Sequence, residues 1–518
     1  MQRERMIQSM IAGEEWDICI IGGGATGLGA AVDAASRGYK TILFEKYDFA
    51  KGTSSRSTKL IHGGVRYLEQ LNIKLVLESL HERGLMLKNA PHLVKNQCFV
   101  IPNYEWWEHS YYGIGLKAYD WMAGRLGLGP SEFLSVEETL EAIPTLDPEG
   151  LRGGIRYHDG QFDDARMAIH LAMTAADLGA VVLNYFPVES FIKEEDIITG
   201  VNVNDALNNV AYAINAKSVV NATGVFSDEI RKLDAADAEE MLSPSQGIHL
   251  VLDKEFLPTD TAILIPRTDD GRVLFAVPWH DKIIVGTTDT AVEQVSIEPK
   301  ALTSEIEFVL QQLKGYLTKE PRHDDIGSIF CGLRPLVKGG AKSTAGLSRD
   351  HLISVSSSGL ISIIGGKWTT YRKMAEDVIN TAIKNVNLPF IKSITDSLPI
   401  HGSKSEIDFN ETAYYYGSDR EQVIHICNEH TEWNEKIHPV FPYLIGEIIW
   451  SVREEMCMHI EDFLARRTRM LFLDAKAAIA SAPLVAKTMA NEMGRSAAWI
   501  QEEINAFTSV AVQYLPGK

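Results

Sequence analysis

The chain has 518 residues, more than one hydrophobic core usually serves, and its length corresponds to roughly three domains. Its composition, 45% hydrophobic and 23% charged, is ordinary for a soluble globular protein. The formal net charge of −19 argues against nucleic acid as a partner, because phosphate binding needs lysine and arginine in excess, but it leaves room for a local basic pocket that takes a small anion. The five cysteines, Cys19, Cys98, Cys331, Cys427 and Cys457, are scattered without a Cys-x-x-Cys pair, which predicts thiols in a reducing compartment, no disulfide framework and no metal site. Met1 to Arg5 does not open into the apolar stretch of a secretory signal, and no run of about 18 apolar residues predicts a membrane-spanning helix.

The first predicted strand, Trp16 to Ile21, meets Gly22-x-Gly24-x-x-Gly27 and an alanine-rich helical pattern that ends at Arg37-Gly38. A second strand, Thr41 to Phe44, closes on Glu45. Glycines in this order let the backbone turn tightly, approach a pyrophosphate and pack helix on strand, and the acid is placed to accept hydrogen bonds from an adenosine ribose. With strand, helix, second strand and acid all present, the segment predicts dinucleotide binding. Next come Ser54-Ser55-Arg56-Ser57-Thr58 and His62-Gly63-Gly64-Val65-Arg66, a hydroxyl-rich loop suited to wrapping a planar ring while aiming a base and a cation at one point. Ala216 to Asn221, ending at Ala222-Thr223-Gly224, and Leu360 to Ile364, ending at Gly365-Gly366, read as further strands of the same parallel sheet. A helix is predicted from about Lys367 through Lys384. Residues 241 to 340 alternate in short runs and predict a mostly antiparallel second sheet, and the pattern turns helical from about residue 395.

These segments, with Asp163-Asp164-Ala165-Arg166, Gly286-Thr287-Thr288-Asp289, Gly332-Leu333-Arg334-Pro335 and Gly365-Gly366-Lys367-Trp368-Thr369-Thr370-Tyr371-Arg372, make the chain resemble the FAD-dependent glycerol-3-phosphate dehydrogenases from about Asp17 to the C-terminal helices. The resemblance implies an α/β and α+β fold of the D-amino-acid oxidase class. Its FAD-binding Rossmann-like domain would be discontinuous (residues 1–75, 150–240 and 340–394), with a β-rich substrate domain (76–149 and 241–339) and a helical C-terminal domain (395–518). It also implies FAD as cofactor, sn-glycerol 3-phosphate as substrate, hydride transfer from its C2 to flavin N5, and a membrane quinone as electron acceptor.

The residues that match the family substrate site are His62, Arg66, Arg334 and Lys367, with Arg349 as a secondary phosphate contact. A guanidinium fork at a proline-stiffened strand end suits phosphate oxygens, which fits Arg334, and Arg66 offers a second fork. His62 either takes the hydroxyl proton as hydride leaves or only packs beside FAD. Lys367, read as the opening of a helix, faces either substrate phosphate or the N1/C2 carbonyl edge of reduced flavin. Gly22, Gly24, Gly27, Glu45, Ser54, Ser55, Thr58, Gly63, Gly64, Thr223, Gly224, Gly365 and Gly366 form the expected FAD contacts. Gly286 to Asp289 reads as a hairpin turn with side-chain to backbone bonds.

A quinone-linked enzyme must reach a bilayer, so the expectation is a cytoplasmic protein held peripherally on the inner leaflet of the cytoplasmic membrane, with a homodimer as a further expectation. The aromatic stretch Tyr104-Glu105-Trp106-Trp107-Glu108-His109-Ser110-Tyr111-Tyr112, with Lys117, Tyr119, Trp121 and Arg125, suits a docking surface; a packed cap or a subunit contact is the alternative. Arg466-Arg467-Thr468-Arg469 reads most simply as a solvated basic helix face. The rival functions are an oxygen-using, peroxide-forming glycerol-3-phosphate oxidase, a regulator that keeps FAD for structure, and an amine oxidase of the same fold.

Overall fold

The computed structural model describes residues 1–64, 72–269, 271–338 and 351–517, without the side chains of residues 109, 110, 114 and 125. Two sheets organise it. The first has the order His351–Val355, Ile361–Gly365, Val210–Asn221, Trp16–Ile21, Thr41–Phe44, Val181–Leu183. All neighbours after the first pair run parallel. Because one face is covered by helices and the other largely by apolar residues such as Phe186, Val201 and Val203, Ile18, Cys19 and Ile20 are fully buried in succession, and the strand reads as an unbroken apolar run. Helix Ala25–Ser36 packs on the sheet between helices Asp164–Asp177 and Tyr371–Asn385, and its small side chains permit that close fit. A β-carbon at Gly29 would stand 2.8 Å from the Tyr371 ring.

Strand Val210–Asn221 is longer than its predicted half. Its first part pairs antiparallel with Ile197–Asp205, which pairs with Val188–Glu194, so an antiparallel arm extends from the parallel sheet.

The second sheet holds ten strands among the described residues and is antiparallel apart from Ala262–Ile265 beside Val94–Asn103. Near one edge, strand Ser245–Asp253 pairs with Lys282–Gly286, Thr290–Ala291 and Ile326–Arg334. Strands Leu60–Ile61 and Gly153–Phe162, which lie in sequence among the nucleotide-binding segments, also pair in this sheet. The serine-rich loop at residues 54–58 therefore runs directly into the second sheet. A separate apolar cluster, including Ile248, Leu250, Ile283, Val309 and Leu313, packs helix Thr303–Lys314 on this sheet.

The C-terminal region is helical, with Ile445–Glu454, Ala475–Met493 and Ala497–Ala511 as main elements. Its core is continuous with that of the nucleotide-binding sheet, since one buried cluster runs from Ile18 and Ile363 to Leu471 and Phe507. The expectation of a solvated basic face at Arg466 to Arg469 is overturned here. Arg466, Arg467 and Arg469 are at most 1% exposed. Each guanidinium is taken up by acids distant in sequence: Asp48 for the first two and Asp163 for the third.

Candidate active site

The glycine turn is built as its spacing predicts. Gly22 has φ +111°, and a β-carbon there would lie 2.7 Å from the Ala222 carbonyl oxygen. At Gly27 a β-carbon would lie 1.9 Å from the Gly22 carbonyl, so helix and strand meet with no room for any side chain. Glu45 ends the second strand, and its buried carboxylate accepts hydrogen bonds from Gly23 N at 2.6 Å and Tyr47 N at 2.8 Å. Burial pushes its pKa up, against the pull of those two amides.

Ser54 Oγ accepts from Ala25 N at 2.9 Å, at the start of helix Ala25–Ser36, while its carbonyl accepts from Trp368 Nε1 at 2.8 Å. The serine loop, the helix N-terminus and the Gly365-Gly366 segment thus converge. Gly365 and Gly366 have φ of +85° and +83°, and a β-carbon at Gly366 would strike Met374. Thr223 is held by Asn221 Oδ1 through its hydroxyl at 2.7 Å, leaving Gly224 (φ +60°) at the strand end. Ser55 Oγ is fully buried and has no hydrogen-bond partner among the described residues. A glycine cradle at a helix N-terminus, a ribose-directed acid and an unpartnered buried hydroxyl fit FAD, which would be held by Gly22 to Gly27, Glu45, Ser54, Ser55 and the Thr223 and Gly365 turns.

On the substrate side, Arg334 is the last residue of strand Ile326–Arg334, with its side chain 22% exposed. Its Nη2 donates to Thr287 Oγ1 at 2.9 Å and to the Thr288 carbonyl at 2.8 Å, and Nη1 to Asp289 Oδ1 at 3.2 Å. Gly286 to Asp289 is therefore more than a hairpin turn. It links two strands that both pair with Ser245–Asp253, and it grips the arginine while Thr288 Oγ1 donates to Glu305 at 2.8 Å. Gly247 leaves the space: a β-carbon there would lie 2.3 Å from Arg334 Nη2.

Three further features had no clear local signal. Lys59, fully buried, places Nζ 2.7 and 2.8 Å from the two Asp164 oxygens and 2.6 Å from the Ser55 carbonyl, fixing the serine loop. Burial pulls the lysine pKa down and pushes the Asp164 pKa up, and their contact opposes both shifts. Thr58 Oγ1 bonds His249 Nε2 at 2.9 Å, and the His249 ring stacks on Phe330 at 4.7 Å. Burial, then the charges of Lys59 and Arg334, drives the His249 pKa well down, so this imidazole is neutral at physiological pH. Tyr119, only 2% exposed, receives Gly63 N at 2.8 Å and donates to Asp159 at 2.9 Å, which also takes Arg83 at 2.8 Å. This tyrosine anchors the turn after His62 and does not belong to the exposed aromatic surface.

His62 is half-buried and directly follows strand Leu60–Ile61. Lys367 is half-buried and precedes a single 3₁₀ turn, Trp368–Thr370; the helix proper starts at Tyr371 because Gly366 and the extended Lys367 (φ −145°, ψ 160°) are non-helical. The expectation that Lys367 opens a helix is therefore corrected: it lies ahead of the helix, in extended backbone. Arg66 and Arg349 lie outside the described residues. Among the described residues, no cluster of three or more His, Cys, Asp or Glu side chains is arranged to hold a metal.

A family model described as FAD dependent oxidoreductase matches residues 17–372, and one described as the C-terminal domain of alpha-glycerophosphate oxidase matches residues 359–500. Fold and site define an FAD-dependent oxidoreductase of the D-amino-acid oxidase fold class. The mitochondrial glycerol-3-phosphate dehydrogenase of Homo sapiens is 40% identical over 530 residues, covering 95% of this chain and 72% of that protein. The corresponding Schizosaccharomyces pombe protein is 36% identical over 99% of this chain and 89% of its own length. The structure of the glycerol-3-phosphate dehydrogenase from Bacillus halodurans complexed with FAD superposes with a TM-score of 0.81 at 30% identity, covering 99% of this chain and 97% of that one. The L-alpha-glycerophosphate oxidase of Mycoplasma pneumoniae, at TM-score 0.57 and 19% identity over 74% of this chain and 97% of its own, shares the fold. The chain belongs to the FAD-dependent glycerol-3-phosphate dehydrogenase family.

Proposed function

We propose that the protein oxidises sn-glycerol 3-phosphate to dihydroxyacetone phosphate and passes the two electrons to a membrane quinone. The observation that supports this most is Arg334, a guanidinium oriented by Thr287, Thr288 and Asp289 and given room by Gly247, in a chain whose relatives over nearly its full length are glycerol-3-phosphate dehydrogenases. When bound, FAD supplies the hydride acceptor at N5. The chain's own residues hold the substrate and manage one proton. Arg334 brings positive charge and its remaining N–H groups to the phosphate, Arg66 supplies a second guanidinium with Arg349 as a secondary contact, and the Lys367 ammonium adds positive charge. A neutral imidazole takes the proton of the C2 hydroxyl: His62 by its place in the loop, with His249 as the second candidate because burial keeps it neutral beside Thr58.

Anaerobic addition of glycerol 3-phosphate to the purified yellow protein is expected to bleach the flavin absorbance and yield dihydroxyacetone phosphate. Flavin that stays oxidised refutes the assignment. Turnover that proceeds with a quinone analogue without oxygen supports the dehydrogenase, and stoichiometric peroxide at a comparable rate in air supports the oxidase.

A peripheral seat on the cytoplasmic membrane belongs to the same reading. It is supported by Trp106 (78% exposed) and Trp121 (84% exposed), at or near helix Glu108–Ala123. Trp107 is half-buried and packs on Tyr111 and Tyr112, so Trp106 and Trp121 are the residues to change. Liposome sedimentation should weaken when both become serine; undiminished binding removes this surface from the role. Among the described residues no helix is long and apolar enough to cross a membrane.

A further inference from the structure

Between the ribose-directed Glu45 and the serine loop, the chain passes through Asp48, which is fully buried. Four donors converge on the Asp48 carboxylate, and three of them come from the C-terminal domain. Arg466 Nε lies 2.5 Å and Arg467 Nη1 2.6 Å from Oδ2, while Arg467 Nη2 lies 3.0 Å and Asn184 Nδ2 3.2 Å from Oδ1. Three residues on, Lys51 donates to Glu461 at 2.7 Å, and Glu461 also receives Arg466 Nη1 at 3.0 Å. Both ends of Asp48 to Lys51 are therefore tied to the C-terminal domain.

The two residues after Asp48 form the floor of the phosphate turn. Ala50 N donates to the Gly23 carbonyl at 2.9 Å, with Ala50 at φ +60°. Phe49 is fully buried, and its ring lies 2.9 Å from where a Gly23 β-carbon would stand. Anything that lets Asp48 drift moves Phe49 and Ala50, and with them the amides that face a pyrophosphate.

The arginines are set up for this by local geometry. Asp462–Arg467 is a π-helical turn, in which Thr468 N donates to the Phe463 carbonyl at 2.9 Å. The wider turn brings consecutive side chains closer in direction than an α-helix does, so neighbouring guanidiniums can share one carboxylate. Arg467 Nη2 is further pinned by the Glu455 carbonyl at 2.7 Å, and Arg466 Nη2 by Asp462 at 2.8 Å. The opposing charges hold Asp48 ionised: burial raises its pKa, but Arg467 and Arg466 outweigh burial and bring it to about 2.

We propose that Asp48, Arg466, Arg467 and the Lys51–Glu461 pair form an interdomain clasp that sets FAD affinity, which makes the C-terminal domain a positioning part of the cofactor site. This proposal needs FAD binding alone and stands whichever substrate is oxidised.

The test uses the full-length protein, stripped of FAD and titrated with FAD by flavin fluorescence, alongside the unfolding midpoint with and without FAD. Arg467→Lys keeps the charge but loses the fork, and it is expected to weaken FAD binding by about tenfold and to narrow the gap between the two midpoints. The control is His401→Gln, which breaks another junction, Asp177–His401–Asp419, remote in sequence from the glycine turn. The control should lower both midpoints and leave FAD affinity unchanged. Wild-type FAD affinity in folded Arg467→Lys overturns the proposal, as does an equal loss in the control. If Arg467→Lys fails to fold, Lys51→Met decides, because this lysine is 14% exposed and its loss is mild: several-fold weaker FAD binding supports the clasp, and unchanged binding overturns it.

Discussion

Replacing Gly247 with alanine is the sharpest test of how the anion site is built, because one methyl group acts on one guanidinium. The added β-carbon would stand 2.3 Å from Arg334 Nη2, 2.4 Å from Thr287 Oγ1 and 2.7 Å from the Thr288 carbonyl, each below the closest approach that atoms tolerate. The strand cannot yield cheaply, since Gly247 pairs with Gly332 inside the sheet, so the arginine must leave its seat. Overpacking costs about 1 to 3 kcal/mol of stability. A displaced fork forfeits at least one charge-assisted hydrogen bond to phosphate, about 1.5 to 3 kcal/mol, which corresponds to roughly a ten- to hundredfold weaker substrate. In a dye-linked assay of FAD-loaded enzyme, KM for glycerol 3-phosphate should rise by that factor while kcat falls much less and the FAD to protein ratio stays at wild type. Inhibition by inorganic phosphate should weaken in parallel, because it samples the same fork without the polyol. A KM within twofold of wild type, with full FAD, would refute the placement of Arg334 as the phosphate clamp.

Lys59→Met leaves Asp164 buried without its cation, and breaking such a pair costs about 3 to 5 kcal/mol; denaturant unfolding should show this loss, and wild-type stability would mean that the pair is not ionised. For His401, burial pulls the pKa down, but the hydrogen bonds its ring donates to the Asp177 and Asp419 carboxylates outweigh burial and hold the ring at about 9, above its ordinary 6.5. The raised value means that this stabilisation is complete below pH 6.5 and is lost as pH rises through about 9. At roughly 1.4 kcal/mol per pH unit it is at most about 3.5 kcal/mol, and nearer half of that because the Asp177 side chain is 60% exposed. Unfolding midpoints across pH 6 to 9.5 should converge between wild type and His401→Gln at the alkaline end, and parallel curves would contradict the assignment. His62→Asn and His249→Asn separate the two proton acceptors: the variant whose kcat collapses while KM and FAD content stay at wild type identifies the base, and retention of wild-type kcat removes that histidine from the role.

What could be read in the sequence is what local spacing encodes. The glycine turn and Glu45 declare themselves within about thirty residues, and Arg334 sits at a strand end next to a proline, where a side chain has few alternatives. The Gly286 to Asp289 segment was recognisable as polar and glycine-led, but its partner Arg334 is 45 residues or more away, and spacing alone cannot choose between a self-contained turn and a grip. Arg466 and Arg467 were harder still. In sequence they look like a basic helix face, and only the fold brings Asp48 to them from 418 and 419 residues away. Lys59 and His249 carry ordinary side chains whose function depends on burial, which one strand's pattern does not report.

The same limit bears on Asp163-Asp164-Ala165-Arg166, one of the segments by which the chain resembles its family. Asp163 holds Arg469, Asp164 holds Lys59, and Arg166 holds Glu455 at 2.7 Å. All three are at most 5% exposed, and each bond crosses from helix Asp164–Asp177 or its cap to another segment of the molecule. Activity lost on changing any of them does not by itself place it at the reacting atoms. Asp164 acts through Lys59 on the Ser55 carbonyl, so its loss should release FAD and raise KM together. Asp163 and Arg166 grip the C-terminal domain, so their loss should lower the unfolding midpoint before either constant moves. Motif and scaffold overlap in this chain because the segment carries buried ion pairs, one fixing the serine loop and two gripping the C-terminal domain, and the family signature records those pairs alongside the groups that would meet the ligand.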